Sequence, residues 1–236
     1  MKLPILLSVP HAGLRVPPEA KPYCRLTRKD IIADGDEGAA EIYDLQRHVA
    51  DFVTTDVARA IIDLNRTEDD RRPDGVVKME TCWNVPVYHT FPPGPVVEQL
   101  LNRYYRPYHT RLSTGIPPGV RLCVDCHTMA AVGPPIGPDP GEIRPHICLG
   151  NGNGDDDANL TLPAGWTGQL LGCFRAAFGD AVTTNEPFAG GYITRHHGRE
   201  RPWLQLEVSR APFMSNPEKR YGVLRALTDF CRNVLA

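Results

Sequence analysis

The sequence has 236 residues, 42% of them hydrophobic, and a formal net charge of −2. This length and apolar content suffice to bury one sizeable core, so we predict a single domain over residues 1–236. The balanced charge without Lys/Arg runs argues against a nucleic-acid partner. No apolar stretch reaches the roughly 18–20 residues that cross a bilayer, which argues against a membrane partner.

Short apolar runs alternate with helical patterns along the chain. In chain order the first half is predicted to contain a strand at 3–9, a helix at 36–53, a strand at 57–63, an exposed polar excursion at 67–83 and a helix at 96–113 that Pro107 kinks or interrupts. The second half is predicted to contain a strand at 120–124, a Pro/Gly-rich loop at 131–141, a strand at 145–149, an acidic turn at 150–157, a helix at 165–178, a strand at 203–208 and a helix at 217–236. This alternation predicts an α/β fold with a mostly parallel sheet flanked by helices.

The first apolar run and the cysteines bear on location. Residues 3–9 lead directly into Pro10 without a small-residue cleavage site, so we interpret them as a strand and not a signal peptide. The seven cysteines follow no disulfide-framework spacing. Both features predict reduced thiols in a cytoplasmic protein.

Two histidines follow apolar strands and could share one crevice. His11 comes after the first predicted strand and His127 after the third, and ligand sites of open parallel sheets lie beyond the carboxyl ends of the strands. Two imidazoles and one carboxylate are a common ligand set for catalytic zinc, and Asp36 or Glu37 could supply the carboxylate. Each histidine could equally be a hydrogen-bonded loop residue, and spacing alone leaves the two interpretations open.

The segment around His127 permits further interpretations. Asp125 could fix the tautomer of a histidine ligand or merely cap the strand end. Cys123-Val124-Asp125-Cys126-His127 also fits the C-x-x-C-H attachment signature of a c-type haem. The missing export signal and the strand-like position of Cys123 argue against haem.

Polar groups that follow the second predicted strand could bind an anion. Arg66 could bind a substrate carboxylate through two hydrogen bonds, and Asn65 could donate a hydrogen bond to the same group. Arg59 could reach a carboxylate or a developing oxyanion. The alternative is an Asx turn that ends in a surface arginine.

Glu207 lies within an apolar strand, where an unpaired carboxylate is costly. Partial burial raises the pKa of such a group and suits a general base that passes a proton to a leaving nitrogen. The alternative is a structural ion pair, for example with Arg210.

A glycine pair lies near the end of the chain. Gly190 and Gly191 permit close approach of backbone and ligand. Arg195 and His196 would then line whatever the glycines approach. His196 and His197 are adjacent, so we do not expect both to bind one ion if the segment is a strand.

Several of these segments together resemble the N-formylglutamate amidohydrolases in order and spacing, from Ser8 to at least Met214. The segments are Ser8-Val9-Pro10-His11-Ala12-Gly13, Asp36-Glu37-Gly38-Ala39, Asp63-Leu64-Asn65-Arg66, Tyr108-His109-Thr110-Arg111-Leu112, Asp125-Cys126-His127-Thr128-Met129, Gly190-Gly191-Tyr192-Ile193-Thr194-Arg195-His196 and Gln205-Leu206-Glu207.

The resemblance implies a three-layer, zinc-exopeptidase-like (phosphorylase/hydrolase-like) fold with a mixed sheet. It also implies Zn²⁺-dependent hydrolysis of N-formyl-L-glutamate to formate and L-glutamate, the closing step of one route of histidine degradation. His11, Asp36 and His127 would be the zinc ligands, with Glu37 in reserve for Asp36, and Glu207 would be the catalytic glutamate.

The resemblance extends to the substrate. Asn65 and Arg66 match the pair that holds a substrate carboxylate in the related aspartoacylase, and Arg59 would make a second anion contact and assist catalysis. The expected partner is a small N-acyl amino acid, and the sequence does not give the oligomeric state. A zinc deacylase or peptidase for other N-acyl substrates and a non-catalytic ligand-binding protein are the alternative functions.

Overall fold

The computed structural model describes residues 2–152 and 160–235. Within them the strands are β1 (Leu3–Val9), β2 (Val49–Thr54), β3 (Leu122–Met129), β4 (Ile147–Gly150), β5 (Val182–Thr184) and β6 (Trp203–Ser209). The α-helices are α1 (Arg28–Asp34), α2 (Ala39–Ile42), α3 (Gly94–Leu100), α4 (Arg106–Thr114), α5 (Trp166–Phe178), α6 (Tyr192–His197) and α7 (Asn216–Val234).

The described strands form one sheet in the order β2-β1-β3-β6-β4-β5. β4 runs antiparallel to β6, whereas all other neighbouring strands are parallel. The predicted α/β class with a mostly parallel, mixed sheet is confirmed. Because β1, β3 and β6 are parallel neighbours, their carboxyl ends meet at one edge in the middle of the sheet.

Helices cover both faces of this sheet, which gives three layers. Alternate residues of a strand point to opposite faces, and in β1 Ile5 and Leu7 enter one apolar cluster while Leu6 enters the other. The first cluster contains Phe174 of α5 and Phe230 of α7. Its burial anchors the two longest helices to the sheet, so the central strand ends are held on a rigid base.

The helix predicted for 36–53 is wrong over most of its length. It is limited to α2, and Val49–Thr54 forms the edge strand β2, which pairs in parallel with β1. The apolar positions that suggested a helical period are β-branched at Val49 and Val53, which favours a strand once a neighbour is available for pairing. Sheet pairing therefore overrides the local helical pattern.

The strand predicted for 57–63 is also wrong. Val57 and Ala58 make isolated bridges to Arg15 and Gly13, and the remainder forms turns. The apolar residues of the segment are buried in the second cluster without joining the sheet. Apolar content thus indicated burial correctly but not the conformation.

The helix predicted for 96–113 is present without a break. A π-helical turn at Leu101–Tyr105 joins α3 to α4, and Pro107 lies in the first turn of α4. A wide turn before a proline accommodates its ring and its missing N–H.

The other predicted strands and helices agree with the structure to within a few residues. Most of the acidic turn predicted at 150–157 lies outside the described residues. Among the described helices, none combines the length and apolar character needed to cross a membrane.

Candidate active site

Three parallel strands bring the predicted chemical groups together. His11 follows the end of β1, His127 lies near the end of β3, and Glu207 lies near the end of β6. The register pairs His127 with Glu207 directly across β3 and β6. Residues far apart in sequence are thus adjacent because parallel strands end at the same edge.

His11, Asp36 and His127 form a buried cluster. The Nδ1 atom of His127 lies 3.2 Å from Nδ1 of His11 and 3.0 Å from Oδ2 of Asp36. Nδ1 of His11 lies 3.7 Å from Oδ1 of Asp36. These three groups could hold a metal ion.

The opposite edge of each imidazole faces a buried carboxylate. Nε2 of His11 lies 2.9 Å from Oδ1 of Asp63, and Nε2 of His127 lies 3.0 Å from Oδ2 of Asp125. Carboxylates only accept hydrogen bonds, so a metal ion bound between the two Nδ1 atoms would leave each ring neutral with its proton on Nε2. Both Nδ1 lone pairs then point toward each other and toward Asp36, an arrangement that is favourable only with a proton or a metal ion between them.

The spacing of these donors fits zinc. A tetrahedral zinc with ligand bonds of about 2.0–2.1 Å separates its ligand atoms by roughly 3.3 Å. The separations of 3.2 and 3.0 Å around Nδ1 of His127 are close to that value. Carboxylates that orient histidine ligands through their other nitrogen are a recurrent feature of zinc sites.

Asp36 is held in the cluster by backbone as well as by the histidines. Thr128 donates its backbone N–H to Oδ2 at 3.1 Å. Burial alone would raise the pKa of Asp36, but His11 and His127 outweigh it and hold that pKa below the usual value. Glu37, the other carboxylate considered from the sequence, is exposed. The geometry therefore favours Asp36 as the carboxylate of the cluster.

Glu207 is buried beside the cluster. It accepts a hydrogen bond at 2.9 Å from Nε2 of Gln205 on the same strand. Burial raises the pKa of the Glu207 carboxyl to about 7, with His127 opposing the shift and Asp36 adding to it. The ion pair with Arg210 considered from the sequence is not formed within 4.0 Å among the described residues. A carboxyl with this pKa can take up and release a proton near neutrality.

A cavity of about 430 Å³ opens over the cluster. Asp36 and Glu207 line it, whereas His11 and His127 are buried and lie outside its lining. Residues predicted to bind substrate also line it: Arg59, Asn65, Arg66, Gly190, Gly191 and Arg195. The structure thus gathers most of the predicted site around one cavity.

Three of these residues already have partners in the protein. Nε of Arg59 donates to Asp63 at 3.1 Å, and Nη2 of Arg66 donates to Asp74 at 3.0 Å. Asn65 accepts from the backbone N–H of Ile193 at 2.8 Å. Arg59 and Arg66 keep further guanidinium donors for a ligand, whereas Nδ2 of Asn65 already lies 3.4 Å from Oδ2 of Asp125 and 3.2 Å from Nε2 of His127. All three residues also support the walls of the cavity.

The predicted glycine pair shapes the cavity. Gly190 has φ of +139°, a conformation that favours glycine. A Cβ atom on Gly191 would lie 2.2 Å from Nδ2 of Asn65, so no larger residue fits there. The next residues form helix α6, not a strand, and they place Arg195 at the cavity while His196 is exposed and outside the cavity lining. His196 is therefore not brought to the site.

Two further arginines line the cavity that were not predicted to bind substrate: Arg144, and Arg210, which was considered only as an ion-pair partner of Glu207. Arg210 follows β6 directly, so the strand-end rule that selected His11 could have selected it. Arg144 lies between the predicted Pro/Gly-rich loop at 131–141 and the strand predicted at 145–149, and no local signal marks it.

Comparisons with known proteins agree with the geometry. The sequence profile described as N-formylglutamate amidohydrolase matches residues 3–214. The chain belongs to the N-formylglutamate amidohydrolase family. Membership makes it an amide hydrolase and confirms the predicted resemblance.

One relative and two solved structures are similar to the chain, and at 19% and 15% identity the structures bear on its fold alone. The chain is 28% identical over 233 residues to the N-formylglutamate deformylase of Pseudomonas putida, covering 92% of this chain and 84% of the relative. An N-formylglutamate amidohydrolase from Ralstonia eutropha JMP134 has a similar fold, with TM-score 0.74 and 19% identity over 99% of this chain and 96% of that one. A gene product of Agrobacterium tumefaciens matches with TM-score 0.75 and 15% identity, covering 100% and 93% of the two chains.

Proposed function

We propose that the protein hydrolyses N-formyl-L-glutamate to formate and L-glutamate, using Zn²⁺ held by His11, Asp36 and His127. Family membership and the name of the Pseudomonas putida relative support the substrate. The metal site is supported by one observation: the Nδ1 atoms of both histidines converge on Asp36, while both Nε2 atoms face the carboxylates of Asp63 and Asp125.

Zinc in such a site would lower the pKa of water and polarise the formyl carbonyl. The protein's own contribution begins with the carboxylates behind the histidines. Asp63 and Asp125 fix the rings so that both Nδ1 atoms point to one place. A site with preset ligands does not have to reorganise when it binds the ion.

Glu207 is the proposed general base and acid. In its ionised form the carboxylate takes a proton from the attacking water, and the water oxygen bonds to the formyl carbon. The protonated carboxyl then gives that proton to the amide nitrogen as the C–N bond breaks. Its pKa of about 7 suits both transfers at neutral pH.

The cavity arginines are the proposed anion contacts. Arg59 faces negative charge that develops on the carbonyl oxygen, a position where electrostatic stabilisation is usually large. Asn65, Arg66 and Arg195 hold substrate carboxylates, and the backbone at Gly190 and Gly191 allows the ligand to approach closely. These roles rest on cavity position and donor chemistry.

A panel of N-acyl amino acids, assayed with zinc-loaded protein and formate detection, tests the substrate. We expect N-formyl-L-glutamate to be preferred over N-formyl amino acids with neutral side chains and over N-acetyl-L-glutamate. Preference for another acyl group would instead indicate a zinc deacylase or peptidase. Absence of hydrolysis throughout the panel would favour a ligand-binding protein.

The single domain over residues 1–236, the cytoplasmic location and the place in histidine degradation are further proposals that rest on the sequence. Assaying cell fractions for formate release would test the location.

A further inference from the structure

The cavity is lined by more positive side chains than the proposed function has used. Five arginines contribute to its lining: Arg59, Arg66, Arg144, Arg195 and Arg210. N-formyl-L-glutamate carries two carboxylates, so the arginines that are free to bind them are of particular interest.

Three of the five arginines are already paired with carboxylates of the protein. The pairs are Arg59 with Asp63 at 3.1 Å, Arg66 with Asp74 at 3.0 Å and Arg144 with Asp139 at 2.6 Å. Much of their charge is thus neutralised within the protein. Neither Arg195 nor Arg210 has a carboxylate within 4.0 Å among the described residues.

Arg210 differs from Arg195 because its guanidinium is partly fixed and desolvated. Nη1 donates to the backbone carbonyl of Gly35 at 3.3 Å, beside the proposed ligand Asp36. Nε is buried and has no hydrogen-bond partner within the part of the chain that the structure describes. A buried donor without a partner costs free energy unless a ligand satisfies it.

Arg210 also lies beside the proposed general base. Arg210 follows the end of β6, three residues after Glu207, and both line the cavity. Its backbone N–H donates to Met129 at the end of β3, which fixes the start of the side chain relative to the sheet. The Nε and Nη2 edge of a guanidinium is the edge that binds a carboxylate with two parallel hydrogen bonds.

We propose that Arg210 binds one of the two substrate carboxylates and makes the site selective for dicarboxylic N-acyl amino acids. The inference rests on the proposed function for its substrate class. It assigns the stronger specificity role to a residue with an unsatisfied donor, in place of the already paired Arg66.

The experiment compares two variants that remove an arginine with a buried, unpartnered Nε. Arg210→Gln changes the proposed contact. Arg201→Gln is the matched control, because Nε of Arg201 is equally buried and unpartnered but lies before the start of β6, outside the cavity lining. Arg210→Lys keeps the charge without the planar fork and serves if the Gln variant does not fold. Zinc content and thermal unfolding are measured for every protein.

Specificity is measured as kcat/KM for N-formyl-L-glutamate and for its two monoamides, in which either the side-chain or the α-carboxylate is neutral. We expect the wild type to discriminate strongly against one monoamide. R210Q should lose about 100-fold in kcat/KM for the diacid and retain little discrimination against that monoamide, because two charge-assisted hydrogen bonds are lost. R210K should show an intermediate loss, and R201Q should behave as the wild type.

The proposal is overturned if folded R210Q, or folded R210K in its place, keeps the wild-type ratio of kcat/KM for the diacid to kcat/KM for each monoamide. It is also overturned if kcat/KM for the diacid falls as much in R201Q as in R210Q. Calorimetric binding of glutarate and L-glutamate to the zinc-loaded proteins separates this result from failure of the proposed deformylase activity. Weaker binding in R210Q alone supports the carboxylate contact even without formate release, whereas equal binding in wild type and R210Q refutes it.

Discussion

Replacement of Asp63 by Asn tests whether the carboxylates behind the histidines build the metal site. Asp63 is 1% exposed and receives three donors: Nε2 of His11 at 2.9 Å, Nε of Arg59 at 3.1 Å and the backbone N–H of Asn65 at 2.9 Å. Burial would raise the pKa of Asp63, but Arg59 and His11 outweigh it and lower that pKa well below its usual value. The group is therefore an anion in the folded protein.

The amide of an Asn at this position has one accepting oxygen and one donating nitrogen. Either His11 or Arg59 would therefore face a donor in a buried position. Loss of such a supporting carboxylate typically weakens metal binding 10- to 100-fold, equivalent to about 1.4–2.7 kcal/mol. Breaking a buried ion pair also costs about 3–5 kcal/mol of folding stability.

Zinc affinity is measured by competition with a chromophoric chelator, and stability by urea unfolding of the metal-free protein. Asp56→Asn is the control, because Asp56 pairs with Arg15 at the surface and its side chain is 69% exposed. That variant should bind zinc as the wild type does. A folded Asp63→Asn protein with wild-type zinc affinity would refute the proposed role of Asp63 in orienting His11.

Three further changes test separate parts of the account. Glu207→Gln should keep zinc but lower kcat for formate release by about 10²- to 10⁴-fold, since the proton acceptor is gone; near-normal kcat would refute the assignment. Burial, aided by His197, lowers the pKa of His109 to about 3, so its neutral form stabilises the fold above pH 6.5 and that stability is lost as pH falls toward 3. Between pH 7 and pH 5 the free energy of unfolding of the wild type, measured by urea unfolding, should therefore fall by about 2 kcal/mol more than that of His109→Gln. Equal decreases in the two proteins would contradict this. Lys78→Met removes the buried ammonium that lies 2.9 Å from Oδ2 of Asp34. This should lower the free energy of unfolding by about 3–5 kcal/mol. A thermal unfolding temperature unchanged from the wild type would show that the pair does not stabilise the fold.

Sequence patterns predicted the parts of the site that depend on strand ends. Short apolar runs located β1, β3 and β6, and parallel order then brought His11, His127 and Glu207 to one edge of the sheet. This inference works because a buried parallel strand has a recognisable composition and its carboxyl end has a fixed place in the fold.

Other parts of the site depend on contacts between distant residues, which local patterns do not encode. The segment 67–83, predicted to be exposed, instead buries Val76, Val77 and Lys78, and it supplies Asp74, which pairs with Arg66. Helix α6 turns His196 away from the cavity, although its neighbour Arg195 lines it. The free donor on Arg210 is apparent only after the partners of the other cavity arginines have been identified.

Formate release from N-formyl-L-glutamate by metal-free and zinc-restored protein tests whether hydrolysis depends on a metal held by His11, Asp36 and His127. We expect that chelation abolishes formate release and that one equivalent of zinc per chain restores it, while the His127→Ala protein is not restored by the same equivalent. Undiminished formate release from protein shown by elemental analysis to contain no metal would show that the protein does not use zinc held by His11, Asp36 and His127.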